Sequence, residues 1–380
     1  MPAPAPHPDL PVPCIERRVL LSCPAMPQSA APRSRNLYRF AWFLVGTVVL
    51  LIFFGGQVKS TGSGLSVPDW PNTFGHFMFS FPYQDWVGGV FWEHSHRLIA
   101  SAAGLFTVIA AVWVWRVDRR PVVRRLAIAA SAVVVIQGVF GGLTVLNALP
   151  VWASSTHGTL AQIYLSAVVV LALMLSPRWE SALEGIATDP KLRKLSLIVC
   201  SLIFLQLVVG AIMRHSEAGL AVPDFPTMFG SWIPPLDPDR LAAANAELRM
   251  SNLLVIRDGK DISTIEMLIH LLHRAMAFLV AGGVGALWWR LNRTHAHHPP
   301  LARPAGLMLV LVVVQFSLGI LTILTGRHFI ITSLHVTVGA LLLATSVALA
   351  VRVRSARVAP LSATVAAPRP SQRIETEAMA

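Results

Sequence analysis

Four histidines carry the chemistry this sequence offers. His96 stands in E-H-S-H-R, His157 in H-G-T-L-A-Q, His273 in L-H-R and His335 in L-H-V-T-V-G-A, each near the start of a long apolar run. His96 and His273 are 177 positions apart, and His157 and His335 are 178 apart. An ionisable group against an apolar helix is costly and defaults to a functional reading. Two imidazoles from opposed helices can ligate a haem iron from both sides, with the macrocycle edge-on between the helices. A lone histidine at a helix start is as readily interfacial and merely hydrogen-bonded; four at repeat-related places favour ligation. A metal other than haem iron is the alternative, but no Cys, Asp or Glu cluster completes a compact site.

Glu93 lies one helical turn before His96, on the same face. Its counterpart in the second half is His270, so one pocket has a carboxylate and the other does not. Two identical electron-transfer sites would not need that asymmetry. A partly buried carboxylate can move protons or stabilise developing positive charge. The competing reading is a carboxylate satisfied by Arg97 or by a loop amide. Arg97 and Arg274 each follow a histidine and are candidate partners for haem propionates, or interfacial anchors. His94 points about 200° away from His96 round the helix, and neither it nor His270 is given a role. His7, His295, His297 and His298 read as solvated. His76, His215 and His328 read as structural or solvated groups on outer loops. Cys14, Cys23 and Cys200 form no C-x-x-C pair, and Cys200 reads as core.

These residues need elements to hold them. Of the 380 residues, 54% are hydrophobic and 13% charged, with a mean hydropathy of +0.60. A soluble domain carries about 25% charged residues, so the chain reads as an integral membrane protein. Eight apolar runs, near residues 40–58, 94–115, 122–147, 157–175, 195–213, 265–289, 304–325 and 331–351, suit membrane-spanning helices. Strand alternation is absent, which argues against a β-barrel. Arginine and lysine collect in alternate loops, so the positive-inside rule puts both termini in the cytoplasm. The net charge of +12 then follows from membrane topology and does not call for nucleic acid. Residues 1–35 and 353–380 read as disordered cytoplasmic tails without a cleaved signal.

The chain also repeats itself. G-L-S-V-P-D-W-P-N-T-F-G at 64–75 returns as G-L-A-V-P-D-F-P-T-M-F-G at 219–230, and Q-G-V-F-G-G-L-T-V-L from Gln137 returns as Q-F-S-L-G-I-L-T-I-L from Gln315. The fold expected is all-α: two four-helix bundles, 36–180 and 181–352, related by a pseudo-two-fold along the membrane normal. The second carries an outer-loop insertion at 236–263. The two G-L-x-V-P-D loops read as caps, with Trp70 or Phe225 as an aromatic face over a haem edge. Gln137 and Gln315, four residues before Gly141 and Gly319, suggest close helix packing with one polar contact.

Together the T-G-S-G-L-S-V-P-D-W-P loop, E-H-S-H-R, H-G-T-L-A-Q, H-S-E-A-G-L-A-V-P-D-F-P, L-H-R and L-H-V-T-V-G-A resemble the heme A synthase family over about residues 37–351. The resemblance implies oxidation of one ring methyl of heme O to a formyl group, by two successive hydroxylations, giving heme A for cytochrome c oxidase. It implies a resident haem b on His273 and His335, substrate heme O on His96 and His157, and Glu93 as the reactive glutamate. The expected partners are a heme O synthase and an electron donor, with a homo-oligomer left open. The expected location is the bacterial inner (plasma) membrane. Some members carry a cysteine pair in the first outer loop; residues 59–92 hold none, so a thiol-based step is not supported. The rival readings are a non-enzymatic dihaem b-type cytochrome and a haem transporter.

Overall fold

The computed structural model describes residues 34–250 and 260–356. His7, Cys14, Cys23 and most of both expected tails lie outside the described residues. Those described form nine α-helices: α1 (Arg35–Ser60), α2 (Gly88–Val117), α3 (Pro121–Leu146), α4 (Val151–Met174), α5 (Pro190–His215), α6 (Pro238–Met250), α7 (Thr264–His295), α8 (Pro299–Leu324) and α9 (Phe329–Ser355). All but α6 are long and apolar enough to cross a membrane. There is no strand among the described residues, only two isolated bridges. The chain is an all-helical, multi-pass membrane protein.

Capping residues set where the helices start. Ser34 accepts from the Leu37 amide and Asp189 from the Leu192 amide. Ser263 and Glu266 close a capping box on α7, and Pro occupies the first turn of α3, α5 and α8. The helices begin up to six residues before the apolar runs do, so the histidines are not at helix starts. His96 and His273 fall in the third turn, His157 and His335 in the second. Hydropathy marks the hydrocarbon thickness, whereas polar caps start α1, α5 and α7 outside the apolar run. At the other end of the chain α9 runs to Ser355, past the boundary expected for the tail.

Helices α1, α4, α5 and α9 pack on one another in the middle, with α2 and α3 on one flank and α7 and α8 on the other. Two apolar cores result, one within α1–α4 and one among α5, α7, α8 and α9. Ala340, Ala344 and Ala348 of α9, one turn apart, enter the first core. Small residues at that spacing let helix backbones approach closely, as in membrane helix pairs. The outer faces stay apolar, for example Leu105, Val108 and Val112 on α2 and Val310 and Val313 on α8. The second half's inserted segment is partly helical: Asn245 of α6 clamps Ile262 through both backbone groups. Leu248 and Ile262 bury Ala221 and Val222 of the second cap loop.

Candidate functional site

Helices α2 and α4 bring His96 and His157 together with ring centroids 6.5 Å apart and planes at 80°. Two in-line metal–imidazole bonds of about 2.0–2.1 Å, with half a ring beyond each nitrogen, put the centroids roughly 6–6.5 Å apart. The spacing therefore fits two axial nitrogens on one iron. His157 Nδ1 lies 3.2 Å from the Gln137 carbonyl, while the Gln137 amide donates to the His157 carbonyl at 2.9 Å. In the second half His335 Nδ1 lies 3.1 Å from the Gln315 carbonyl. The Gln206 amide there sits 3.0 Å from the His273 carbonyl and 3.2 Å from its Nδ1. His335 is an electrostatic neighbour of His273. No group of three His, Cys, Asp or Glu side chains among the described residues is arranged to hold a metal ion. A two-histidine pocket suits a metal whose other ligands come with it, as a macrocycle's do.

Glu93 is buried on α2. Its Oε1 accepts from Arg97 at 2.7 Å and its Oε2 from the Val67 amide at 2.8 Å. Both partners weighed from sequence, the arginine and a loop amide, are present at once. Among the described residues no hydrogen bond joins Glu93 to either imidazole. Arg97 also donates to the carbonyls of Val67, Asp69 and Asn72 at 2.6–2.9 Å. In the second half Arg274 donates to the carbonyls of Val222, Asp224 and Thr227. There His270 takes the place of Glu93: its Nε2 faces Arg274 Nε at 3.0 Å and its Nδ1 the Ala218 carbonyl at 3.1 Å. The histidine that had no role in the sequence is the neutral version of the Glu93 latch.

Each latch holds a cap. In the first, Asp69 accepts from the Phe74 and Gly75 amides at 2.8 Å. In the second, Asp224 accepts from Phe229, Gly230 and the Thr227 hydroxyl. Both caps turn through left-handed Phe-Gly pairs and carry a cis X-Pro bond, at Trp70-Pro71 and Phe225-Pro226. Burial alone would raise the Asp69 carboxyl. The Gly75 and Phe74 amides and the Arg97 charge outweigh it and hold the group below the usual carboxylate range. Asp224 is likewise held low against its burial, by Thr227 and the Gly230 and Phe229 amides. The first cap lays its Trp70 ring on Gly142 of α3. His94, fully buried, packs its ring on Phe81 and Trp86, with Nδ1 3.2 Å from the Thr73 hydroxyl.

Between the halves, at the capped end, Glu217 pairs with Lys59 of α1 and with Arg327 before α9. Burial works against its charge, but those two cations hold its carboxyl low. Arg214 donates to the Gly56 carbonyl and the Ser60 hydroxyl at 2.7 Å. Sequence reasoning missed this junction, because its members, from Lys59 to Arg327, are spread over both halves and share no spacing. It also misplaced His295, which is buried on the last turn of α7 with Nε2 2.8 Å from the Ala187 carbonyl. A charged loop reads as solvated, yet this one folds back on the α4–α5 connection. His297 is exposed as expected, and His328 stacks on Phe329 at 4.8 Å.

A family model described as cytochrome oxidase assembly protein matches residues 38–347. Among similar proteins, one from Sphingopyxis alaskensis named heme A synthase is 27% identical, over 84% of this chain and 92% of its own length. One of the same name from Halalkalibacterium halodurans is 25% identical, over 82% and 95%. Another from Parvibaculum lavamentivorans is 28% identical, over 76% and 87%. With eight apolar helices and two capped histidine pairs on them, the chain belongs to the cytochrome oxidase assembly family, whose members include these heme A synthases.

Proposed function

We propose that the chain converts heme O to heme A, oxidising a ring methyl to a formyl group through two hydroxylations and loss of water. The observation that carries this reading is the His96–His157 pair at ligating distance, with a buried carboxylate one turn away on α2. Heme O is the substrate of that pocket. His273 and His335 are the proposed ligands of a resident haem b, which when bound supplies one-electron redox chemistry.

The chain's own groups do the rest. His96 and His157 fix the substrate between α2 and α4. The cap, latched by Arg97 and pressed onto α3 by Trp70, excludes water from the ring edge. Glu93 Oε1 and Oε2 are the acceptors for a proton released as the methyl is oxidised, and Arg97 stabilises the carboxylate between transfers. A guanidinium has five N–H donors. Each latch arginine spends four, which leaves one N–H for a haem propionate: Nε on Arg97, one on Nη1 of Arg274. With both termini cytoplasmic, the capped pockets open at the outer side of the inner (plasma) membrane. A heme O synthase, an electron donor and a homo-oligomeric state complete the proposed setting.

The test is haem extraction and mass analysis from cells that make heme O but lack their own heme A synthase. Wild type is expected to yield heme A. Glu93→Gln keeps the side-chain shape but turns one of its two acceptors into a donor, and is expected to bind haem while accumulating heme O or a hydroxylated intermediate. His273→Ala is expected to lose haem b. Wild type that binds haem and leaves heme O unchanged would make the chain a dihaem cytochrome or carrier.

A further inference from the structure

Each of the four imidazoles rests on a glycine of the preceding membrane-spanning helix. A Cβ placed on Gly55, Gly141, Gly210 or Gly319 would meet Cε1 of His96, His157, His273 or His335 at 3.0, 3.1, 2.9 and 3.1 Å respectively. Carbon atoms pack best at about 3.5–4.0 Å, so alanine at any of these places displaces the ring. Gly46, Gly138 and Gly306, on α1, α3 and α8, face open space. The close approach under the histidines is therefore not a general property of glycines in these helices.

The residue four before each glycine completes the seat, one turn back on the same face. At Gln137 and Gln315 the backbone carbonyl faces the ring Nδ1, and at Gln206 the side-chain amide lies against the ring. Where Nδ1 donates to a carbonyl, at His157 and His335, Nε2 keeps its lone pair in a fixed direction; the Gln206 amide lies 3.2 and 3.3 Å from the two ring nitrogens of His273, and the Gln315 amide 3.4 Å from His335 Nε2. On α1 the same place is Leu51. It brings no amide, and His96 Nδ1 is buried near its carbonyl without a hydrogen bond of normal geometry. Of the four ligand candidates, His96 alone has no glutamine amide against it.

We propose, on the haem-ligation reading above, that Q-x-x-x-G is a histidine seat and that L-x-x-x-G on the first span makes His96 the ligand that releases. A resident cofactor is kept by two tethered rings. A substrate must leave as product, and one slack ring allows that while His157 still orients it. The glutamines, the glycines and Leu51 are positioning residues, acting through the imidazoles.

The test uses the full chain in detergent, loaded with heme O. It reads the ferric spin state by electron paramagnetic resonance and the rate of heme O transfer to excess apomyoglobin. Leu51→Gln is expected to slow transfer several-fold with the low-spin signal kept, and Gln137→Leu to speed it several-fold. Gly141→Ala is expected to give a high-spin signal or lost haem at an unchanged elution volume, while Gly138→Ala matches wild type. Wild-type transfer rates in both Leu51→Gln and Gln137→Leu would overturn the proposal, as would a Gly141→Ala variant as innocuous as Gly138→Ala. A spectrum unchanged by both His96→Ala and His157→Ala would instead overturn the ligation reading on which the seat rests.

Discussion

Arg97 is only 9% exposed, and its hydrogen bonds go to Glu93 and three loop carbonyls. Removing one partner of a buried pair strands the other, at a cost of about 3–5 kcal/mol. Arg97→Ala is therefore expected to lower the unfolding temperature in detergent sharply. Arg97→Lys is expected to recover only part, because an ammonium cannot fork to the loop carbonyls. The cap aspartates add a pH dependence. Asp69 and Asp224 have depressed folded-state values, so their contribution is present above the unfolded value and lost as pH falls through the folded one. Cap cleavage by an acid-active protease is expected to rise below about pH 4 and stay flat from there to neutral pH. At this scale the four histidines and Glu93 were legible because the repeat offsets align them. Their partners were not: Val67, Asn72 and Thr227 contribute backbone groups, which leave no mark in side-chain patterns.

Among the elements, the eight spans were legible from apolar length alone. Their starts were not, because Ser34, Asp189 and the Ser263–Glu266 box set them outside the apolar runs. Helix α6 was hidden by its charge and by its place in a stretch without a counterpart in the first half. The first cap's seat on α3 yields a prediction of its own. A Cβ on Gly142 would lie 2.5 Å from the Trp70 ring, so Gly142→Ala is expected to lift the cap. Limited proteolysis within residues 61–87 should then speed up several-fold, with the helices still protected. Cleavage at the wild-type rate would mean that the loop is held by Arg97 and Asp69 without help from the indole.

In the whole molecule the two halves meet along α1, α4, α5 and α9, and at the capped end the Glu217 junction ties them. Glu217→Ala leaves Lys59, Arg214 and Arg327 mutually repelling. The pair with Lys59 is partly exposed, so the expected loss is on the order of 1 kcal/mol, larger at low salt than at high. Arg240→Ala, at the exposed pair between Asp237 and Arg240 at the start of α6, is expected to cost less under the same conditions. A thermal shift series at two salt concentrations distinguishes the two. The repeat told of two halves but not of this contact, since its residues have no counterparts at matching offsets.

The two latches also show one scaffold carrying two different chemistries. Glu93 and His270 sit at equivalent places and answer equivalent arginines, yet one brings a charge and the other does not. At the loop the two differ in sense: Glu93 accepts from the Val67 amide, whereas His270 faces the Ala218 carbonyl, which accepts. His270→Glu therefore sets a carboxylate against a carbonyl oxygen, and is expected to loosen the second cap, read as faster limited proteolysis within residues 216–236.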